Sequence, residues 1–505
     1  MKRPLAALAA AVLATLVLAG CVPSFLVPRP DTSTPTGESV SAELEPFYGQ
    51  VVEWERCDAL QCATVEAPLD WSDPAAGSIE LALVRSVASG ERLGSLLVNP
   101  GGPGGSGFDF IADSLDYAVG QPLREHYDVV GFDPRGVNRS TGVACFDPAE
   151  MDEYLYSLPE HPRGTDEWIA EAEAGTAAFG AACLERTGEL LGNVDTESAA
   201  RDMDLLRAVL GDERLNYLGY SYGTFLGATY AELYPEKVGR LVLDGAIDPS
   251  ASDFEVTKAQ SVGFESALAA YLEDCLGTAE CPFRGSVDGA MGEVRGLLDA
   301  ADRSPVRGAD GRMVGADVLL TAIIFPLYSQ DSWPYLSQMF ASFMQGDAEL
   351  ALQFADLYNG RNPDGSYEDN STEAFRSINC LDYEYQSDVA VMRERAAELE
   401  AAAPIIGTFM SFGDVACASW PEQGDRPRTE IHAAGAPPIL VIGTTNDPAT
   451  PYAWAVALAE QLDEGVLVSY EGEGHTAYNK SNSCVNDAVE GFLVDGTVPA
   501  EDPRC

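Results

Sequence analysis

Short apolar runs alternate with helical ones along the first half of this chain. Ile79–Val84, Ser95–Val98, Asp128–Phe132, Leu215–Leu218 and Arg240–Leu243 are brief and mostly apolar, the pattern of strands buried on both faces. Ala199–Leu210 and Thr224–Tyr234 place their apolar residues at helical spacing instead. Strands alternating with helices predict an α/β fold with a mostly parallel central sheet, occupying residues 49–248 in this first part. Between 249 and 428 the pattern changes: Phe264–Leu276, Ala316–Tyr328 and Val389–Ala403 have helical periodicity and clear strands fade. Strand-like runs return at Pro438–Gly443 and Gly465–Tyr470. Residues 429–505 therefore complete the sheet, and 249–428 reads as a helical insertion in the position of a lid. No internal repeat is visible, and the length suits one large domain plus this insertion.

The amino-terminal end follows another logic. Lys2 and Arg3 precede an apolar stretch from Leu5 to Leu18, closed by Leu18-Ala19-Gly20-Cys21. That is the pattern of a bacterial lipoprotein leader over residues 1–20, with Cys21 as the lipidated amino terminus; the stretch is too short for an ordinary membrane span. Residues 21–48, rich in Pro, Ser and Thr, read as a tether. The chain is expected to be exported and held by lipid on the outer face of a bacterial membrane, or released from it. Without Cys21 ten of the 11 cysteines remain, an even number that in an exported protein suggests disulfides. Cys57 with Cys62 and Cys275 with Cys281 would close short loops. Cys145 with Cys183, Cys380 with Cys417 and Cys484 with Cys505 are longer pairings; the connectivity stays open. No CxxC pair occurs and the four histidines are scattered, which argues against a metal site.

A formal charge of −50 and a pI near 4.1 exclude nucleic acid as a natural partner, because its phosphates are repelled. They also disfavour electrostatic adhesion to anionic lipid, so attachment would rest on the lipid at Cys21. An acidic surface enriches cationic groups such as peptide ammonium ions, and equally serves solubility.

The chemistry centres on Gly219-Tyr220-Ser221-Tyr222-Gly223, set between a strand-like and a helix-like run. A G-x-S-x-G in that context is the nucleophile elbow of α/β-hydrolases. Serine needs a histidine to take its proton and a carboxylate to orient that histidine, in the chain order Ser, Asp or Glu, His. Among His126, His161, His432 and His475, only His475 follows a β-rich run and lies in a loop near the carboxyl end of the sheet. Asp447, in the loop after Pro438–Gly443, is the matching acid; Asp414 and Asp382 follow no evident strand. An oxyanion needs backbone N–H donors. Tyr222 supplies one, and the glycine loop Pro100–Gly107 after Ser95–Val98 supplies another, Gly102 being favoured over Gly101. A phosphate loop is excluded there by the missing Walker lysine and Ser/Thr.

These residues resemble the secreted tripeptidyl-aminopeptidase and proline-iminopeptidase group of α/β-hydrolases. The likeness is carried by Asn99-Pro100-Gly101-Gly102-Pro103-Gly104-Gly105-Ser106-Gly107, Tyr127–Gly136, Gly219–Gly223, Asp447-Pro448-Ala449-Thr450-Pro451 and Gly474-His475, with Ser377–Asp382 in the lid region. It spans about Cys57 to Phe492 and is closest to exported actinobacterial members. Proline iminopeptidases have a histidine before the glycine loop, so Asn99-Pro100 fits the tripeptidyl branch better. The resemblance implies hydrolysis of peptides from their free amino end, without a cofactor. An exopeptidase needs a carboxylate for the substrate ammonium, for which Asp382 and Glu384 are the candidates. Trp333 and Tyr335 either line an apolar subsite or, more simply, pack in the core. A carboxylesterase or lipase with the same triad is the first rival. The second is a non-catalytic lipoprotein that captures peptides. Ser221 at the elbow disfavours an epoxide hydrolase or dehalogenase, which use aspartate there.

Overall fold

The computed structural model describes residues 31–424, 428–499 and 502–505. The expected leader, Cys21 and the tether as far as residue 30 lie outside the described residues.

One ten-stranded sheet runs through the molecule. Its strands are β1 (Asp31–Thr32), β2 (Glu53–Cys57), β3 (Leu60–Pro68), β4 (Ser78–Ser86), β5 (Gly94–Asn99), β6 (Tyr127–Phe132), β7 (Leu215–Tyr220), β8 (Val238–Asp244), β11 (Ile439–Asn446) and β12 (Gly465–Glu473). β9 (Val306–Arg307) and β10 (Met313–Val314) form a separate hairpin. The order in the large sheet is β1-β2-β3-β4-β6-β5-β7-β8-β11-β12. From β6 to β12 every pairing is parallel, and from β1 to β4, with β4 on β6, every pairing is antiparallel. Each strand read from the apolar pattern is present. β2 and β3 were not legible: β2 is five residues with three charges, and most of β3 is half-buried or exposed, so neither shows a continuous apolar run.

The parallel strands are apolar throughout because both faces are covered. Leu97, Val130, Tyr217, Leu241, Leu243 and Val441 point into one core cluster. Their neighbours Leu96, Val98, Val129, Leu218, Val242, Leu440 and Ile442 point into the other. The helix before β7 is delimited by residues the sequence supplies: Asp195 caps Thr196–Leu210 by accepting from Ser198 N, and Gly211 ends it at φ 88°.

Helices Asp253–Leu276, Val287–Arg303, Ala316–Leu327, Trp333–Phe343 and Glu349–Asn359 build a third core of their own. Trp333 lies inside that core, whereas Tyr335 is exposed. Between β6 and β7 the helix Asp166–Thr187 sends Phe179 and Cys183 into a core of the sheet and packs Ile169 with Met392 and Val415, whereas Pro148–Tyr156 joins this helical body. Tyr156 enters its core, its hydroxyl donates to Asp356, and Arg361 forms a bidentate pair with Asp152. All five pairings considered from the cysteine spacing are disulfides: Cys57–Cys62, Cys145–Cys183, Cys275–Cys281, Cys380–Cys417 and Cys484–Cys505. No helix among the described residues is long and apolar enough to cross a membrane.

Burial pushes the carboxyls of Asp253, Glu373 and Asp382 up to about 7. Between the ordinary carboxylate range and that value the folded chain holds protons that the unfolded chain releases, so stability falls as pH rises through this window. Glu38, Asp152 and Asp310, held low despite burial by their arginine or lysine partners, lose their contribution only at lower pH. Repulsion within the −50 charge has the same sign as the three raised carboxyls. The thermal midpoint is therefore expected to be higher at about pH 5.5 than at about pH 8, by the three-carboxyl linkage; equal midpoints in calorimetry would count against it.

Candidate active site

β7 runs into the helix Tyr222–Leu233 through Ser221, whose φ of 54° and ψ of −123° are exceptional for a residue with a side chain. The turn leaves no space beside it. A Cβ on Gly219 would lie 2.4 Å from Gly223 O, and one on Gly223 2.8 Å from Asn99 Oδ1. Ser221 N donates to Asp244 O at 2.9 Å, anchoring the elbow to the adjacent strand. Tyr222 opens the helix, so its N–H has no acceptor within it.

The glycine loop lies directly on this turn. A Cβ on Gly101 would lie 2.6 Å from Tyr220 O and 2.8 Å from Ser221 Cβ, so only glycine allows the approach. Gly101 N donates to Asn99 Oδ1 at 3.0 Å. Gly102 N makes no hydrogen bond among the described residues, which leaves its amide, with that of Tyr222, free for an incoming oxygen. Asp133 secures the far end of the loop. It accepts from Ser106 Oγ at 2.6 Å, Phe108 N at 3.1 Å and Arg139 N at 3.0 Å. Beside it, Arg135 is fully buried and paired with Asp202 at 2.6 Å. Asp133 thus holds the loop, while Arg135 of the same motif ties its turn to β3 and to the helix Thr196–Leu210.

His475 and Asp447 meet at the same end of the sheet. His475 Nδ1 is 2.9 Å from both Asp447 oxygens and 3.2 Å from Thr450 Oγ1. A carboxylate only accepts, so Nδ1 carries the proton and Nε2 is left as the basic nitrogen. Asp447 is buried and saturated: it also accepts from Ala449 N, Thr450 N, Thr450 Oγ1 and Thr476 N. A Cβ on Gly245, which follows the residue bonded to Ser221 N, would lie 3.3 Å from His475 Cε1. The imidazole and the elbow are therefore neighbours across β8.

Asp244 was not singled out from the sequence, and it links these parts. Its carbonyl accepts from Ser221 N. Its fully buried carboxylate accepts from Ala477 N at 3.0 Å and Tyr478 N at 2.8 Å, just beyond His475. Burial raises this carboxyl, and Lys480 with the N–H donors opposes the shift. Its one trace in the sequence is its place as an acid directly after an apolar run, before Gly245.

Of the two lid acids, Asp382 half-emerges on the wall of a cavity of about 590 Å³, beside Asp195, Phe225 and Arg428. It accepts from Thr196 N at 2.9 Å and from Thr196 Oγ1, which also meets Tyr222 OH. Glu384 is exposed and is not among the residues lining that cavity. Asp414, weighed as an alternative acid, bonds Arg395 and Gln386 N instead. His161 and His432 are exposed and His126 is half-buried, its Nδ1 2.9 Å from Pro122 O.

A mostly parallel sheet with a serine elbow and a helical insertion defines an α/β-hydrolase. The chain belongs to the TAP-like family of these enzymes. Residues 403–505 match the family model described as TAP-like protein. The chain is 34% identical over 490 residues to the Serine protease Hip1 of Mycobacterium tuberculosis, covering 91% of this chain and 92% of that protein. It is 35% identical over 457 residues to Carboxylesterase B of the same organism, covering 88% and 86%. Against the Tripeptidyl aminopeptidase of Streptomyces lividans it is 30% identical over 476 residues, covering 90% and 86%.

Proposed function

We propose that this enzyme is an exported serine peptidase that releases short peptides, of tripeptidyl type, from free amino termini. The observation that carries the reading is the imidazole of His475, held at Nδ1 by Asp447 beside a serine in the elbow conformation. Ser221 Oγ attacks the scissile carbonyl carbon while His475 Nε2 takes its proton. The oxyanion is held by the amides of Tyr222 and Gly102. Collapse of the intermediate expels the amine, which receives the proton from His475, and water then cleaves the acyl-enzyme by the same route. Asp447 fixes the tautomer and stabilises the imidazolium. Asp382 is the proposed anchor for the substrate ammonium, and hydrogen bonds through Thr196 to Tyr222 OH tie it to the elbow. Two relatives named as a serine protease and a tripeptidyl aminopeptidase support the peptide substrate. Export by the leader ending at Gly20, with lipid on Cys21, belongs to the same proposal.

A relative named as a carboxylesterase supports a second reading, ester hydrolysis with the same triad. One panel separates the two: a free-amine tripeptide amide, its N-acetylated form and a simple acyl ester. The peptidase reading expects the acetylated substrate to lose at least about 100-fold in kcat/KM, the scale of a lost charge-assisted contact. Asp382→Asn should raise KM for the free amine alone. Equal turnover of free and blocked peptides, with faster ester cleavage, would favour the esterase.

A further inference from the structure

The helical insertion grips the loops that carry His475 and Asp447, and the geometry points to it as the positioning element of that pair. This inference rests on the triad reading above. On the base side the contact is Tyr328, directly after the helix Ala316–Leu327. Its carbonyl accepts from His475 N at 2.9 Å, and its ring meets the imidazole edge to face at 5.5 Å. Gly474 passes so close that a Cβ there would lie 3.2 Å from Tyr328 O. The Tyr328 ring is backed by Phe264, 5.3 Å away on the helix Asp253–Leu276.

That same helix holds the acid side. Gln260 Nε2 donates to Ala449 O at 2.9 Å and Ser266 Oγ to Asn446 Oδ1 at 2.9 Å. Between them Gly263 abuts Pro448 O, where a Cβ would lie 2.5 Å away. Residues 260, 263 and 266 share one helix face, and they touch the residues on either side of Asp447. Ala449 belongs to the hydrophobic core of the insertion, not to that of the sheet. Acid and base arrive on loops from two different strands, and one packed helical body fixes both. Displacing this body by about 1 Å costs on the order of 100-fold in rate, because proton transfer requires alignment. The insertion therefore sets kcat as well as access.

The test uses the full enzyme carrying Gly263→Val, Tyr328→Ala or Tyr328→Phe. The first two are expected to lower kcat by about 100-fold with little change in KM, and to slow fluorophosphonate labelling of Ser221 in parallel. Tyr328→Phe keeps the ring and should retain most of the rate. In an Asp447→Asn background Gly263→Val should cost little more, since the acid it displaces is already disabled. A rise in KM at unchanged kcat, or a full additional loss in that background, overturns the inference. Should Gly263→Val fail to fold, Gln260→Ala with Ser266→Ala reads the same quantities. Turnover retained by Ser221→Ala would sink the triad itself, whereas kcat indifferent to these lid changes sinks only the inference.

Discussion

Replacing Ser221 by alanine is expected to lower kcat by about a million-fold while leaving the protein folded. Alanine has no oxygen to attack the carbonyl, and no second hydroxyl at the elbow takes its place. The neighbouring Tyr222 OH is turned away to Thr196 Oγ1. Residual catalysis of about 1,000-fold over water is expected from the amides of Tyr222 and Gly102 and from binding, which do not depend on the nucleophile. Substrate affinity should survive, so the variant serves for capturing bound peptides. The backbone at φ 54° is no harder for alanine than for serine, so the thermal midpoint should hardly move. Fluorophosphonate labelling should vanish. A variant that still turns over peptide near the parent rate would remove Ser221 from the mechanism.

The second large effect falls on stability. Arg135→Leu is expected to cost about 3–5 kcal/mol, the range for removing one partner of a buried ion pair. Arg135 places all its donors: Nε and Nη2 on Asp202, Nη2 also on Pro68 O, and Nη1 on Leu69 O and Asn193 O. Without it, Asp202 is left buried with Trp71 Nε1 as its remaining side-chain donor. Burial already pushes this carboxyl up, with Arg135 opposing, so the variant's Asp202 should take up a proton. Replacing both Arg135 and Asp202 with leucine should recover the part of the loss that lies in the unpaired charge, but not the part from Pro68 O, Leu69 O, Asn193 O and Trp71 Nε1 left without partners. Denaturant unfolding of parent, single and double variants measures each quantity. A single variant as stable as the parent would contradict the buried-pair assignment.

Arg135 also shows where reading the chain reaches its limit. Its motif stands out in the sequence, yet nothing there says that Asp133 holds the glycine loop while Arg135 pairs with Asp202 and three distant carbonyls. The same holds for Asp382 and Glu384. As letters they are two acids of the lid region, but folding puts one on a cavity wall tied to Thr196 and leaves the other in solvent. Asp244, Tyr328 and Gly263 left almost no trace, since each acts through a partner more than 100 positions away.

Legible in the chain alone were the strands buried on both faces, the elbow at Ser221, the order of Asp447 and His475, and the even set of cysteines. Each of these is written in local constraints: apolar runs demanded by two-sided burial, glycines demanded by a turn without space, a carboxylate and an imidazole placed after successive strands. The tertiary structure alone decided which carboxylates face a cavity, that Asp244 joins the elbow to the loop after His475, and that one helical body grips the loops of both acid and base. Such contacts depend on where distant surfaces meet, and packing between them imposes no spacing that a single chain can display.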